Sequence, residues 1–135
     1  MKTIEFYEDL PDSITQDELC HEFSEVLAAD VESDPELASE ALFALSERQW
    51  NTYELADEQL RTDVAAMTLK LWDDQDADRA ETLLGVTSRM GLGVVLQHLR
   101  KKDRSSYSAE VRKSVEDAIN EFGDSVDDPF SGMED

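Results

Sequence analysis

The chain has 135 residues, the length of one domain, and sets 33 acidic side chains against 12 basic ones for a formal net charge of −21. A surface this negative repels phosphate and anionic lipid, which argues against nucleic acid or a membrane as primary partner. Apolar residues still make up 40% of the chain, so it has the material for a folded core and is not a disordered polyacid.

Residues Met1–Asp9 lack the apolar run and small-residue cleavage site of a signal peptide. No stretch approaches the roughly 20 apolar residues of a membrane span. The single cysteine, Cys20, excludes an internal disulfide. These features predict a cytoplasmic protein. Thr3–Tyr7 is the one strand-like alternation and is too short to build a sheet.

Helical periodicity governs the rest. Thr15 and Glu18 form a capping-box pattern that predicts a first helix, with Leu19, Phe23, Val26 and Leu27 on one face. Asp34-Pro35 opens a second, carrying Leu37, Ala41, Leu42, Ala44 and Leu45, because Asp caps and Pro tolerates the first turn. A third is expected from near Thr52 to Trp72, with Leu55, Leu60, Val64, Met67 and Leu71 inward. Asp76 caps a fourth with Ala80, Leu83, Leu84 and Met90, and Gly91 suits its left-handed end. A short fifth holds Leu92, Val95, Leu96 and Leu99. Ser108 opens a sixth, with Val111, Val115, Ala118, Ile119 and Phe122 inward and Gly123 closing it. Residues 1–123 are thus expected to form a single helical domain, and residues 124–135 an acidic flexible tail.

The expected fold class is all-α, with about six helices in antiparallel hairpins. They can close as a compact helical bundle or stack as a short solenoid. Leu37/Ala41/Ala44/Leu45, Leu60/Val64/Met67/Thr68 and Val111/Val115/Ala118/Ile119 share one template, although its spacing is not constant. Glu110–Gly123 resembles the second helix of a HEAT-type repeat, which favours a HEAT-like short solenoid.

The charge is uneven. Residues 1–60 carry a net −15, residues 61–99 a net −2, residues 100–113 a net +4 and residues 114–135 a net −8. Such a field speeds association with a basic partner and weakens with salt. A purely solubilising surface is the competing explanation.

Motifs for chemistry are sparse. Asp74-Gln75-Asp76-Ala77-Asp78 opens like a calcium loop. It then places Arg79 where Gly is needed and Gly85 where a bidentate Glu is needed, so a capped helix start explains it better. Cys20 and His21 are adjacent and point to different sides of a helix, and His98 is the only other imidazole, so zinc finds no ligand set. No Gly-x-Ser-x-Gly elbow and no P-loop occurs; Gly91-Leu92-Gly93 merely joins two helices. No catalytic residues, cofactor or metal are therefore expected. Arg100-Lys101-Lys102-Asp103-Arg104 reads as cations at a helix C-terminus or as a mate for the acidic regions.

The aromatics stand beside acids: Trp50 and Tyr53 with Glu47, Glu54 and Asp57, and Trp72 with Asp73 and Asp74. Rings offer desolvated area and carboxylates receive Lys and Arg, the makings of an interface for a basic protein. Trp72 equally suits core packing. With Glu36 and Glu40 of the second helix, these residues form the expected partner-binding set.

The segments Ser39–Arg48, Trp50–Tyr53 and Glu121–Phe130 together resemble small helical immunity proteins of bacterial toxin systems, including those paired with contact-dependent growth-inhibition toxins. The resemblance implies a cytoplasmic protein that binds one cognate toxin domain, such as a nuclease with a basic cleft, and blocks its active site. A DNA mimic that blocks a DNA-binding protein and a non-catalytic adaptor of helical repeats are the alternatives.

Overall fold

The computed structural model describes residues 1–30 and 32–122. Among these residues seven α-helices run in order: α1 (Ile4–Glu8), α2 (Gln16–Ala28), α3 (Pro35–Asn51), α4 (Glu58–Leu71), α5 (Ala77–Met90), α6 (Gly93–Lys101) and α7 (Ala109–Phe122). A single 3₁₀ turn, Arg104–Ser106, precedes α7, and no strand occurs among the described residues. The expected Gly123 helix end and the 124–135 tail lie outside them.

The local cap signals set most helix starts. The side chains of Thr15, Asp34 and Asp76 each accept a hydrogen bond from the backbone N–H three residues on, and Ser108 does the same for Val111. Gly91 ends α5 with φ 69°, a left-handed geometry that costs glycine little.

Two expectations change. Thr3–Tyr7 is not strand-like: Thr3 caps the single-turn helix α1, which turns Tyr7 into the core. The third predicted helix does not start near Thr52. Asp57 caps it with a 2.8 Å bond from the Leu60 N–H, and residues 52–57 form a loop. Leu55, expected inward, is exposed in consequence.

Helices α2/α3, α4/α5 and α6/α7 form three hairpins. Corresponding helices of successive hairpins also touch: α2 packs on α4 and α4 on α6, while α3 packs on α5 and α5 on α7. The result is two layers of stacked hairpins with one continuous core. Helix α3 is the most enclosed, covered by α1, α2, α4 and α5, and buries Ala38, Ala41, Leu42, Ala44 and Leu45. Each fully buried Leu or Phe contributes about 1.5–3 kcal/mol. Two of the polar side chains that α3 also buries bond locally: the Ser39 and Ser46 hydroxyls donate to the carbonyls of Pro35 and Phe43.

Helices α3 and α5 approach closely at Gly85. A Cβ built there would lie 2.5 Å from the Phe43 ring, which itself sits under the Arg89 guanidinium at 5.3 Å. Alanine gains about 1 kcal/mol of helix propensity over glycine. Displacing a packed ring costs about 1–3 kcal/mol. Gly85→Ala is therefore expected to lower stability by about 1 kcal/mol in urea unfolding, and the Phe43→Ala background should turn the same substitution into a gain.

Candidate functional site

The expected partner-binding residues fall into two groups at opposite ends of α3. Glu36 and Trp50 stand about 21 Å apart along its axis, at roughly 1.5 Å per residue.

The first group lies at the end where the three hairpin loops meet. A groove of about 540 Å³ is lined there by Trp72, Asp73 and Asp74, with Lys70, Arg79 and Lys102 facing them. Glu36 and Glu40 line a smaller neighbouring cleft of about 190 Å³ together with Asp76 and Asp78. The groove sets Glu32, Asp73 and Asp74 against Lys70, Arg79 and Lys102 and is charge-balanced, whereas the neighbouring cleft is acidic. Asp74 accepts bonds from the Trp72 indole N–H at 2.8 Å and from the Lys102 ammonium at 2.7 Å. Asp73 accepts from the Gln75 N–H, and the Ser108 N–H reaches the Asp74 carbonyl at 3.0 Å, tying two hairpins together. Trp72 packs half-buried against the core. Trp72 and Asp74 are thereby committed to internal contacts. Asp76 is spent on the α5 cap, so the acids of the calcium-like run serve different partners.

Burial opposes the charge on Asp74, yet the Lys102 ammonium and the Trp72 N–H outweigh it and hold its carboxyl below the usual range. A depressed folded-state pKa adds stability above the unfolded value of ~3.9 and loses it as pH falls through the folded value. Asp74→Asn should therefore unfold at lower urea than the parent near neutral pH, and the two curves should converge once the pH falls below the depressed folded-state value. A constant difference down to that pH would show that the charge is not what matters.

The second group gathers where α3 turns into α4. Tyr53 is 65% exposed and adopts φ 57°, the one left-handed non-glycine among the described residues. Its ring stands 6.4 Å from that of Trp50. The turn is braced from beneath. The buried Gln49 amide donates to the Glu54 carbonyl at 2.8 Å and to the Gln16 side chain at 3.0 Å, and Gln16 donates back at 2.9 Å. Thr52 donates to the Gln49 carbonyl and accepts from the Glu54 N–H. Asn51 anchors the outer side on the Asp12 carbonyl. Around this turn Glu54, Asp57 and Glu58 are exposed and Glu47 is half-buried. The nearest base before the turn, Arg48, is buried and donates to the carbonyls of Glu8, Leu10 and Ala44.

Two features escaped the sequence reading. Leu55 joins Tyr53 as an exposed apolar side chain, a consequence of the later start of α4. At the N-terminus, His21, Glu22 and Glu25 bring ligand-type atoms within 4.8 Å of one another. The Lys2 ammonium already sits among them, 2.7 Å from both Glu22 and Glu25. Hydrogen bonds to Glu22 and Glu25 raise the Lys2 pKa, and the Glu25 carboxyl is lowered by the same bond. The spacing of His21 and Glu25 on one helical face was visible in sequence, but the arrival of Lys2 was not.

The basic stretch meets its expectation in part. Arg104 donates to the carbonyls of Leu99 and Arg100 at the end of α6, and Lys102 pairs with Asp74. No described helix is long and apolar enough to cross a membrane. Compared with protein-family models, with curated proteins and with solved structures, the chain matches none.

Proposed function

We propose that this chain is a non-enzymatic immunity protein that acts in the cytoplasm, binding a cognate toxin domain with a basic surface and occluding its active site. A nuclease is the toxin class that suits it best, because a cleft built for phosphate also attracts carboxylates. The observation that carries this reading is the α3–α4 turn: an aromatic ring held out to solvent inside a field of acids whose nearest preceding base is buried. Carboxylates would stand where substrate phosphates lie, and the ring would supply the desolvated anchor. The resemblance to small immunity proteins points the same way.

Co-expression with the product of the adjoining gene tests it. The expected result is a stable complex, loss of the partner's nuclease activity, and protection of cells against that toxin alone. Equal inhibition of unrelated DNA-binding proteins, relieved by added DNA, would instead indicate a DNA mimic. No complex with the adjoining product would remove the immunity reading.

A further inference from the structure

We infer that Tyr53 and Leu55 form a preformed knob that docks into an apolar hollow rimmed by Lys or Arg side chains on a partner protein; this rests on the function proposed above. Four large apolar side chains are exposed among the described residues: Phe6, Tyr53, Leu55 and Val94. Phe6 is the least exposed of them and has the Lys2 ammonium 4.7 Å from its ring centre. Val94 stands alone on α6. Tyr53 and Leu55 stand two residues apart in one turn, and Tyr53 is the most exposed of the four.

The turn is rigid by construction. A left-handed backbone at an aromatic residue is costly and persists only where surrounding contacts over-determine it. Here Gln49, Gln16 and Thr52 supply those contacts from beneath. The backbone that carries the ring is thus set before any partner arrives, which lowers the entropic cost of binding.

Charge selects the occupant. Glu54, Asp57 and Glu58 surround the knob, so a second copy of this chain, at net −21, is repelled, as is any phosphate-bearing ligand. A cationic rim around an apolar centre satisfies both parts of the surface at once. The charge-balanced groove at Trp72 lacks this selectivity, so the two ends of α3 are not equivalent.

The test measures binding of the adjoining gene's purified product by calorimetry, for the parent and for Tyr53→Gly, Tyr53→Phe, Leu55→Ser and Glu54→Lys. Tyr53→Gly suits the backbone, so its melting temperature should match or exceed that of the parent. Its affinity should nevertheless fall at least about thirtyfold, as for a hot-spot aromatic. Tyr53→Phe should stay within about threefold and Leu55→Ser should lose about fivefold. Glu54→Lys should slow association about tenfold at low salt, with the difference shrinking as salt rises. A parent complex that Tyr53→Gly leaves intact overturns the knob while keeping the immunity reading. A fall in melting temperature for Tyr53→Gly overturns it as well, since the ring would then be structural.

If the parent does not bind the adjoining product, the immunity reading fails and a second probe judges the surface. A short peptide alternating lysine and leucine should shift the backbone amide signals of residues 53–55, and a polylysine of equal charge should not. Identical responses to both peptides, or shifts confined to other residues, overturn the inference.

Discussion

Replacing Arg48 with alanine is expected to lower the unfolding free energy by about 2–4 kcal/mol. The guanidinium is buried, and its Nη2 donates to the carbonyls of Glu8 at 3.1 Å and Leu10 at 2.8 Å, while Nη1 reaches the Ala44 carbonyl at 3.2 Å. Bonds from a charged donor are worth more than neutral ones, and removing the donor leaves carbonyls without their partner. The loss concentrates on one element. Helix α1 has five residues, far too few to persist alone, so it depends on what holds it to α2 and α3. Besides Arg48, that is the buried Tyr7 and the Lys2 clamp on Glu22 and Glu25. Urea unfolding should show the drop, and amide exchange of residues 4–10 should rise more than that of α5 or α7. Arg48→Lys should fall between the two, since one ammonium cannot span three carbonyls. A loss below about 1 kcal/mol would mean that water replaces the guanidinium readily.

Gln49→Ala is expected to cost about 2–3 kcal/mol and to loosen the α3–α4 turn. Gln49 is 1% exposed, and its amide bonds Gln16, Thr52 and the Glu54 carbonyl. Truncation leaves the Glu54 carbonyl with only the longer 3.2 Å bond from the Thr52 hydroxyl, removes the Gln16 side chain's amide partner and opens a cavity between α2 and α3. Gln16→Ala removes only the outer partner and should cost less. The double variant should lose about 1 kcal/mol less than the two single losses combined, because each residue is the other's partner. Strict additivity would deny the pairing. If the turn is the knob's support, Gln49→Ala should also weaken partner binding without touching any exposed side chain.

How far the sequence reached follows from the range of each signal. Caps are short-range chemistry: an Asp, Thr or Ser oxygen meets an N–H three residues on, so Thr15, Asp34, Asp76 and Ser108 marked their helices correctly. The start of α4 was misplaced because Thr52 and Asp57 are both competent caps. What separates them is that Thr52 is held by the Gln49 carbonyl at the end of α3, and Gln49 in turn by Gln16, 33 residues away. The same long-range contact places Tyr53 in its left-handed turn and exposes Leu55, neither of which has a local signature.

The expected binding set divides for a similar reason. Sequence placed acids beside aromatics at both ends of α3, and the two ends looked alike. In the fold, Lys102 comes 28 residues along the chain to Asp74, and Trp72 turns its N–H to the same carboxylate, so the Trp72 groove is internally neutralised. At the Tyr53 end Glu54, Asp57 and Glu58 stay exposed, and the nearest preceding base, Arg48, is buried.

The sequence by itself determined the all-α class, most of the helix starts, the hairpin order and the acidic bias of residues 1–60, because periodicity, capping and formal charge are properties of neighbouring residues. Only the tertiary structure decided that the hairpins stack in two layers, that α1 is a helix fastened by Arg48 and Lys2, and which of two similar acidic-aromatic clusters holds its aromatic ring exposed. Those outcomes depend on groups far apart in the chain, whose meeting is fixed by packing and by which charges it leaves unneutralised.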